Sequence, residues 1–304
     1  MTPEEMSWSP DELPGHIALM RERWRPGGPY FIAASMHGSG NKGEGVNYAR
    51  WERDVLGVAQ LWWLDVEFCD LVDVARPELP RSTRLFRDVF PVSEGFAAFA
   101  RPMTGIDAQH GTTMYVHGLA WGVSNVMTAA GTLVPAVTMS WYRLMDTGLI
   151  PLGRSDWPLT DELDRVAVTP VEDFVAGIPD HFTESAIDDR RLFATVILAA
   201  TQPGLAAPRV HHVARPAWRR AQRAGAPEDQ RAVRIVTVRG ASATSESDSE
   251  GRHLTRRHVV RAHWKQVAYG PSRTLRRPHL VTNYVRGPEG TPLDVRPTVF
   301  RPSG

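Results

Sequence analysis

The chain has one cysteine, Cys69, among its 304 residues, which excludes an intramolecular disulfide and any cysteine-rich zinc cage. That usage fits a reducing compartment, and the expected location is cytoplasmic. Lysine is nearly missing: Lys42 and Lys265 stand beside 33 arginines, so any basic patch is an arginine patch. Guanidinium forks of that kind grip phosphates and carboxylates bidentately. No apolar run approaches the roughly 20 residues that cross a bilayer. The opening MTPEEMSWSPDELPGH is acidic and lacks the apolar core of a signal peptide. No GxSxG elbow, HExxH pair, Walker loop or internal repeat is present. The expectation is a chain with no membrane partner, no metal and no cofactor.

What is there is a core and an uneven charge. The chain is 42% hydrophobic with ten tryptophans, and Trp51, Trp62, Trp63, Trp121 and Trp141 are expected in the core of the first half. The formal net charge of +1 hides a division. Residues 209–304 hold 19 Arg and Lys against 7 Asp and Glu, a net of +12, and residues 1–208 hold 16 against 27, a net of −11. Either the basic half meets RNA, ribosome-associated nucleic acid, DNA or an acidic protein surface, or the two halves attract each other. Aromatics in the acidic half also furnish a groove for a peptide or protein ligand.

The pattern along the chain reads as α+β. Ser9-Pro10-Asp11-Glu12 is a helix start, with Glu12 three residues after a capping serine. PYFIAAS (29–35) is a strand or a buried helical turn, VNYARWERDVLGVAQ a helix, and LWWLDVEF a strand. EGFAAFARPM, TMYVHGLAWGVSNVMTAA and LVPAVTMSWYRLM read as an antiparallel meander. TESAIDDRRLFATVILAAT predicts a helix capped by Thr183. These place an acidic, aromatic-rich α+β domain over 1–202, an antiparallel sheet with helices. A linker with one short basic helix, PAWRRAQRAG, follows over 203–230. A small basic antiparallel β unit is expected over 231–304, with a mobile loop at 240–251.

Three constellations carry chemistry. GSGNKG, from Gly38 to Gly43, matches the spacing of a dinucleotide fingerprint and would serve a nucleotide-dependent enzyme if a strand preceded it. Asp161-Glu162-Asp164 and Asp188-Asp189 pair carboxylates beside predicted helices, where they also suit the helix dipole. His253, His258 and His263 recur at intervals of five, which alternates strand faces and prevents convergence on one metal. His263 and Lys265 share a face, and a metal-independent nuclease would use them as acid/base and phosphate stabiliser. The binding reading of the same stretch uses more of it. Arg257, Arg261 and Lys265 recur every four residues, and Arg273, Arg276 and Arg277 crowd a turn. Trp264 and Tyr269 offer rings for base stacking or for the core of a small sheet.

HVVRAHWKQ (258–266), YGPSRTLRRP (269–278) and YVRGP (284–288) together resemble a module in uncharacterised proteins of actinobacteria, their phages and plasmids. They also resemble the C-terminal module of a type V-A anti-CRISPR family. Ala262 stands where such modules usually have glycine. The resemblance implies a regulatory binding role: that family is thought to recognise the emerging N-terminal peptide of the effector nuclease and to provoke loss of its messenger. It carries no catalytic residues over. The expectation is a non-enzymatic binding protein of a mobile element or its host, with the nuclease and the nucleotide enzyme as alternatives.

Overall fold

The run QLWWL is buried along its whole length after its first residue, on both strand faces, as a central strand covered on two sides must be. It is β1 (Gln60–Leu64) of a first unit whose other elements are α1 (Leu13–Arg23), α2 (Pro29–His37), α3 (Lys42–Val58), α4 (Val66–Ala75), β2 (Arg84–Phe86), β3 (Gly95–Ile106), β4 (Thr113–Met127), β5 (Leu133–Met145), β6 (Gly148–Pro158), β7 (Arg165–Ala167), α5 (Asp180–Thr201), β8 (Ala206–His212), α6 (Arg215–Arg223) and β9 (Ala232–Val238). The computed structural model describes residues 8–37, 42–81, 83–86, 89–106, 113–127, 133–158, 165–167, 180–239, 257–260, 262–282, 284–286 and 293–294. It divides into two units, Met1–Val238 and Arg239–Gly304.

The first unit is built on a seven-stranded mixed sheet ordered β6-β5-β4-β3-β1-β9-β8. β3 to β5 form the antiparallel meander expected from their sequence, β6 extends it by a strand the sequence did not announce, and β1 runs parallel to both β3 and β9. One face carries Leu61, Trp63, Phe96, Tyr142, Val233 and Ile235 and packs against apolar residues of α1, α3 and α6. The other face carries Trp121, Trp141 and Trp157; Phe193 of α5 meets Trp121 and Trp157 with ring centroids 6.0 and 5.2 Å apart. Trp62, Trp63, Trp121 and Trp141 are buried, and Trp51 is half-buried. Local chemistry sets the junctions. Asp65 ends β1 and caps α4 by accepting the Phe68 N–H at 2.8 Å. Glu12 reaches back to the Ser9 N–H at 2.9 Å, but α1 begins only at Leu13 with Glu12 at its N-cap, so Ser9 is no cap. Thr183 lies inside α5, which begins at Asp180, so it is no cap.

The expected boundaries move. Segment 203–230 is no linker: it contributes β8 and α6 to the first unit. AVRIVTV becomes β9, hydrogen-bonded to β1 and β8 in the large sheet, so it leaves the C-terminal unit. Segment 29–37 is helical, which removes the strand that a dinucleotide fingerprint needs before its glycines.

In the second unit, β10 (Arg257–Val260) pairs with β13 (Tyr284–Arg286) and β14 (Leu293–Asp294), while β11 (His263–Tyr269) and β12 (Leu275–Val281) form an antiparallel hairpin. The long strand expected over 253–270 is thus two strands in two sheets. The loop 240–251 lies outside the described residues.

Candidate nucleic-acid interface

The hairpin register assigns its faces. Trp264 pairs with Leu280, Lys265 with His279, Val267 with Arg277 and Tyr269 with Leu275. Residues directly opposite share a face. One face therefore holds His263, Lys265, Tyr269, Arg277 and His279; the other holds Trp264, Arg276, Pro278 and Leu280. Pro278 and Leu280 are buried, so the Trp264 side is the structural one. Trp264 and Tyr269 face opposite ways and cannot form one stacking platform.

On the basic face the Arg277 guanidinium lies 5.2 Å from the Tyr269 ring centre, a cation–π pair that holds the fork in place. Partial burial, then the charges of Lys265 and Arg277, hold His279 below the ordinary imidazole pKa and favour its neutral form. His279 was not singled out in the sequence; only the register shows that it lies opposite Lys265.

At the tip, Ser272 and Arg273 both have left-handed backbone, with φ of 53° and 56°. Such conformations favour glycine and cost of order 1 kcal/mol or more for other residues. Gly270, at φ +75°, precedes them and accepts the Arg273 N–H at 3.1 Å. Arg273 is exposed at this turn; Arg276 is exposed on β12. The three arginines expected in one turn are thus split between the tip and both hairpin faces.

One sequence expectation falls here. Arg257 belongs to β10 and Lys265 to β11, so they do not share a strand face; Arg261 lies outside the described residues. Across residues 251–288 there are nine Arg and Lys and no Asp or Glu.

The other candidates resolve differently. Gly38 to Asn41, Asp161 to Asp164 and His253 lie outside the described residues. Asp188 approaches Arg76 at 3.7 Å, an ordinary ion pair. His211 is not free in a linker: its Nε2 lies 2.9 Å from Asp11 Oδ1. No group of three or more metal-ligating side chains occurs among the described residues. In the first unit a cleft of about 520 Å³ opens beside Gln60, Glu94, Val210, Asp229 and Arg234. Its mixed charges select no ligand class.

No protein-family model matches the chain, and no curated protein matches it. Among solved structures, the crystal structure of AcrVA2 is similar at 10% identity and a TM-score of 0.44, over 83% of this chain and 81% of that one. A likeness that loose carries neither a fold assignment nor a function.

Proposed function

We propose that the chain is a non-enzymatic binding protein whose C-terminal hairpin contacts the phosphates of a nucleic acid, RNA first among them. The observation that carries this reading is the acid-free basic stretch 251–288, from which Lys265, Arg273 and Arg276 stand exposed. Arginine forks suit phosphate oxygens, and left-handed backbone at the exposed Arg273 is the kind of strain found at contact sites. In the regulatory form of this reading, to which the likeness of HVVRAHWKQ and YGPSRTLRRP to the type V-A anti-CRISPR module points, the nucleic acid is messenger or ribosomal RNA. The acidic unit then takes a protein or peptide partner, inside a reducing cytoplasm.

Fluorescence anisotropy with labelled RNA and DNA over a salt series tests it. Affinity should fall steeply with salt, and R273Q/R276Q/R277Q should reduce the slope of log K against log salt by about 2, at roughly 0.7 per phosphate contact on single strands. Salt-insensitive binding, or an unchanged slope in the triple variant, refutes the reading.

A second reading has one observation of its own: the register brings His279 onto the face of His263 and Lys265. Two imidazoles and an ammonium are a general acid, a general base and a phosphate stabiliser. Labelled RNA incubated with the protein in EDTA decides it. Intact RNA at high protein concentration removes the nuclease.

A further inference from the structure

We propose that α6, with Arg209 of the neighbouring β8, forms a second phosphate-binding surface, located on the first unit and fitted to a nucleic-acid backbone. The inference rests on the preceding reading for its ligand chemistry but on different residues.

The helix RPAWRRAQR has four arginines and no acid. At about 100° per residue, Arg215, Arg219, Arg223 and Arg220 fall within an arc of about 140°. Ala217, Trp218 and Ala221 occupy the opposite side and are buried. All four arginines are exposed. Among the described residues, no carboxylate lies within ion-pair distance of any of them or of Arg209. The nearby Glu228 is engaged by Gln222 at 3.3 Å and Arg231 at 3.9 Å.

The helix is also held firmly. Asp11 Oδ1 accepts the Ala214 N–H at 2.8 Å just before the first turn and meets His211 at 2.9 Å. Gly225, at φ +94°, ends the helix, and Arg21 donates to its carbonyl at 3.5 Å. Arg209 pairs with Ile235 and so lies on the sheet face that α6 covers, at the open edge of β8.

Arg215 to Arg223 spans about 12 Å along the helix axis. A duplex presents one charge per about 1.7 Å of axis, so several phosphates fall within that reach. An acidic protein surface is also complementary in charge, but stable protein interfaces centre on buried aromatic or apolar anchors. The exposed positions of α6 other than arginine are Pro216 and Gln222, which supply none. Nor do they supply a set of base-reading amides, so the contact is with backbone and independent of sequence.

The test uses the full chain, a labelled 20-base-pair DNA duplex, the matching RNA duplex, single-stranded RNA and poly-L-glutamate. R215Q/R219Q/R220Q/R223Q should lower the duplex-DNA salt slope by about 3.6, at roughly 0.9 per phosphate. Between 50 and 200 mM salt that is about 150-fold less loss of affinity. The corresponding quadruple lysine variant should keep the slope, which separates charge from any effect on folding. The hairpin variant R273Q/R276Q/R277Q should retain the α6 share. If the α6 glutamine variant binds like the parent while the hairpin variant fails, this inference falls and the hairpin reading stands. If the parent binds no nucleic acid, both fall. Equal affinity for poly-L-glutamate, competing with duplex, overturns the inference in favour of an acidic protein partner.

Discussion

Replacing Glu52 by glutamine probes a carboxyl that the first unit has sealed inside. Glu52, on the buried side of α3, is 0% exposed, and Tyr142, also fully buried, donates its hydroxyl to Glu52 Oε2. Glu52 Oε1 meets no donor. Arg154 pairs with Asp156 at 2.6 Å, and its charge is the smallest of the pulls that favour the Glu52 carboxylate. Burial raises the Glu52 pKa above the ordinary value, against the opposing pull of hydrogen-bonding groups on Ser140, Tyr142 and Tyr48. In the unfolded chain a glutamate ionises near about 4.3. Between that pH and its higher folded value the native state binds more protons than the unfolded state, so stability falls as pH rises. The slope is at most about 1.4 kcal/mol per pH unit. Glutamine keeps the shape and the acceptor for Tyr142 but cannot ionise. Across the window E52Q should therefore gain on the parent as pH rises, by no more than about 1.4 kcal/mol per pH unit. Asp189, pushed up to about 8 by burial and by the charge of Asp188, imposes a slope of the same sign on both proteins and cancels in the difference. Urea unfolding of both proteins from pH 4 to pH 8 gives that difference directly. A level difference, or one that favours the parent as pH rises, would show that the fold stabilises the Glu52 carboxylate and would refute the argument.

Other parts of the first unit give sharper yes-or-no outcomes. A Cβ at Gly95 would lie 2.1 Å from Cζ2 of the buried Trp121, so Gly95→Ala should destabilise by about 1–3 kcal/mol in urea unfolding; no loss would mean that the β3–β4 contact is looser than described. Asp11→Ala removes the acceptor for the Ala214 N–H and the partner of His211, and should cost about 1 kcal/mol. Burial pushes the Asp11 carboxyl up, but Ala214 and His211 outweigh it and hold the pKa below the ordinary value. This share of stability is therefore present at neutral pH and lost as pH falls through the folded pKa; a deficit in D11A that persists at pH 2 would contradict it. The Cys69 thiol is buried and pushed up to about 12, so a disulfide reagent should label it only after denaturation. Fast labelling of the native protein would contradict its placement.

Periodicity made the meander of β3 to β5 and the helix α5 legible, because each has a pattern of burial that its own residues encode. Partner choice is not encoded that way. AVRIVTV announces a strand, yet nothing in its alternation says that it lies parallel to β1, some 170 residues earlier. β8 was obscured by Pro208, which punctuates a linker in sequence and is tolerated in the structure because β8 is an edge strand. PYFIAAS is too short for period alone to separate strand from helix. The layout of the candidate site was hidden in the sequence for a related reason. Counting faces along 253–270 assumed one continuous strand, and the division into β10 and β11 separates Arg257 from Lys265. Residues next to each other across the hairpin, His279 and Lys265 above all, are invisible until the register is known.

The displaced boundary changes what the charge means. Of the net +12 in residues 209–304, a net of +5 lies in 209–238, on a first unit that otherwise carries 16 Arg and Lys against 27 Asp and Glu. These arginines and most of the acids belong to the same unit. Several arginines of that unit are paired with acids: Arg101 with Asp70 and Asp73 at 2.7 and 2.6 Å, Arg154 with Asp156, Arg76 with Asp188. The four arginines of α6 are treated otherwise, set out on one arc and left to solvent. Surface acids elsewhere on the unit would repel a polyanion, so this arc would also fix the orientation in which one can approach. Lowering salt should then increase affinity for duplex and sharpen that orientation together, because both come from the same unscreened field.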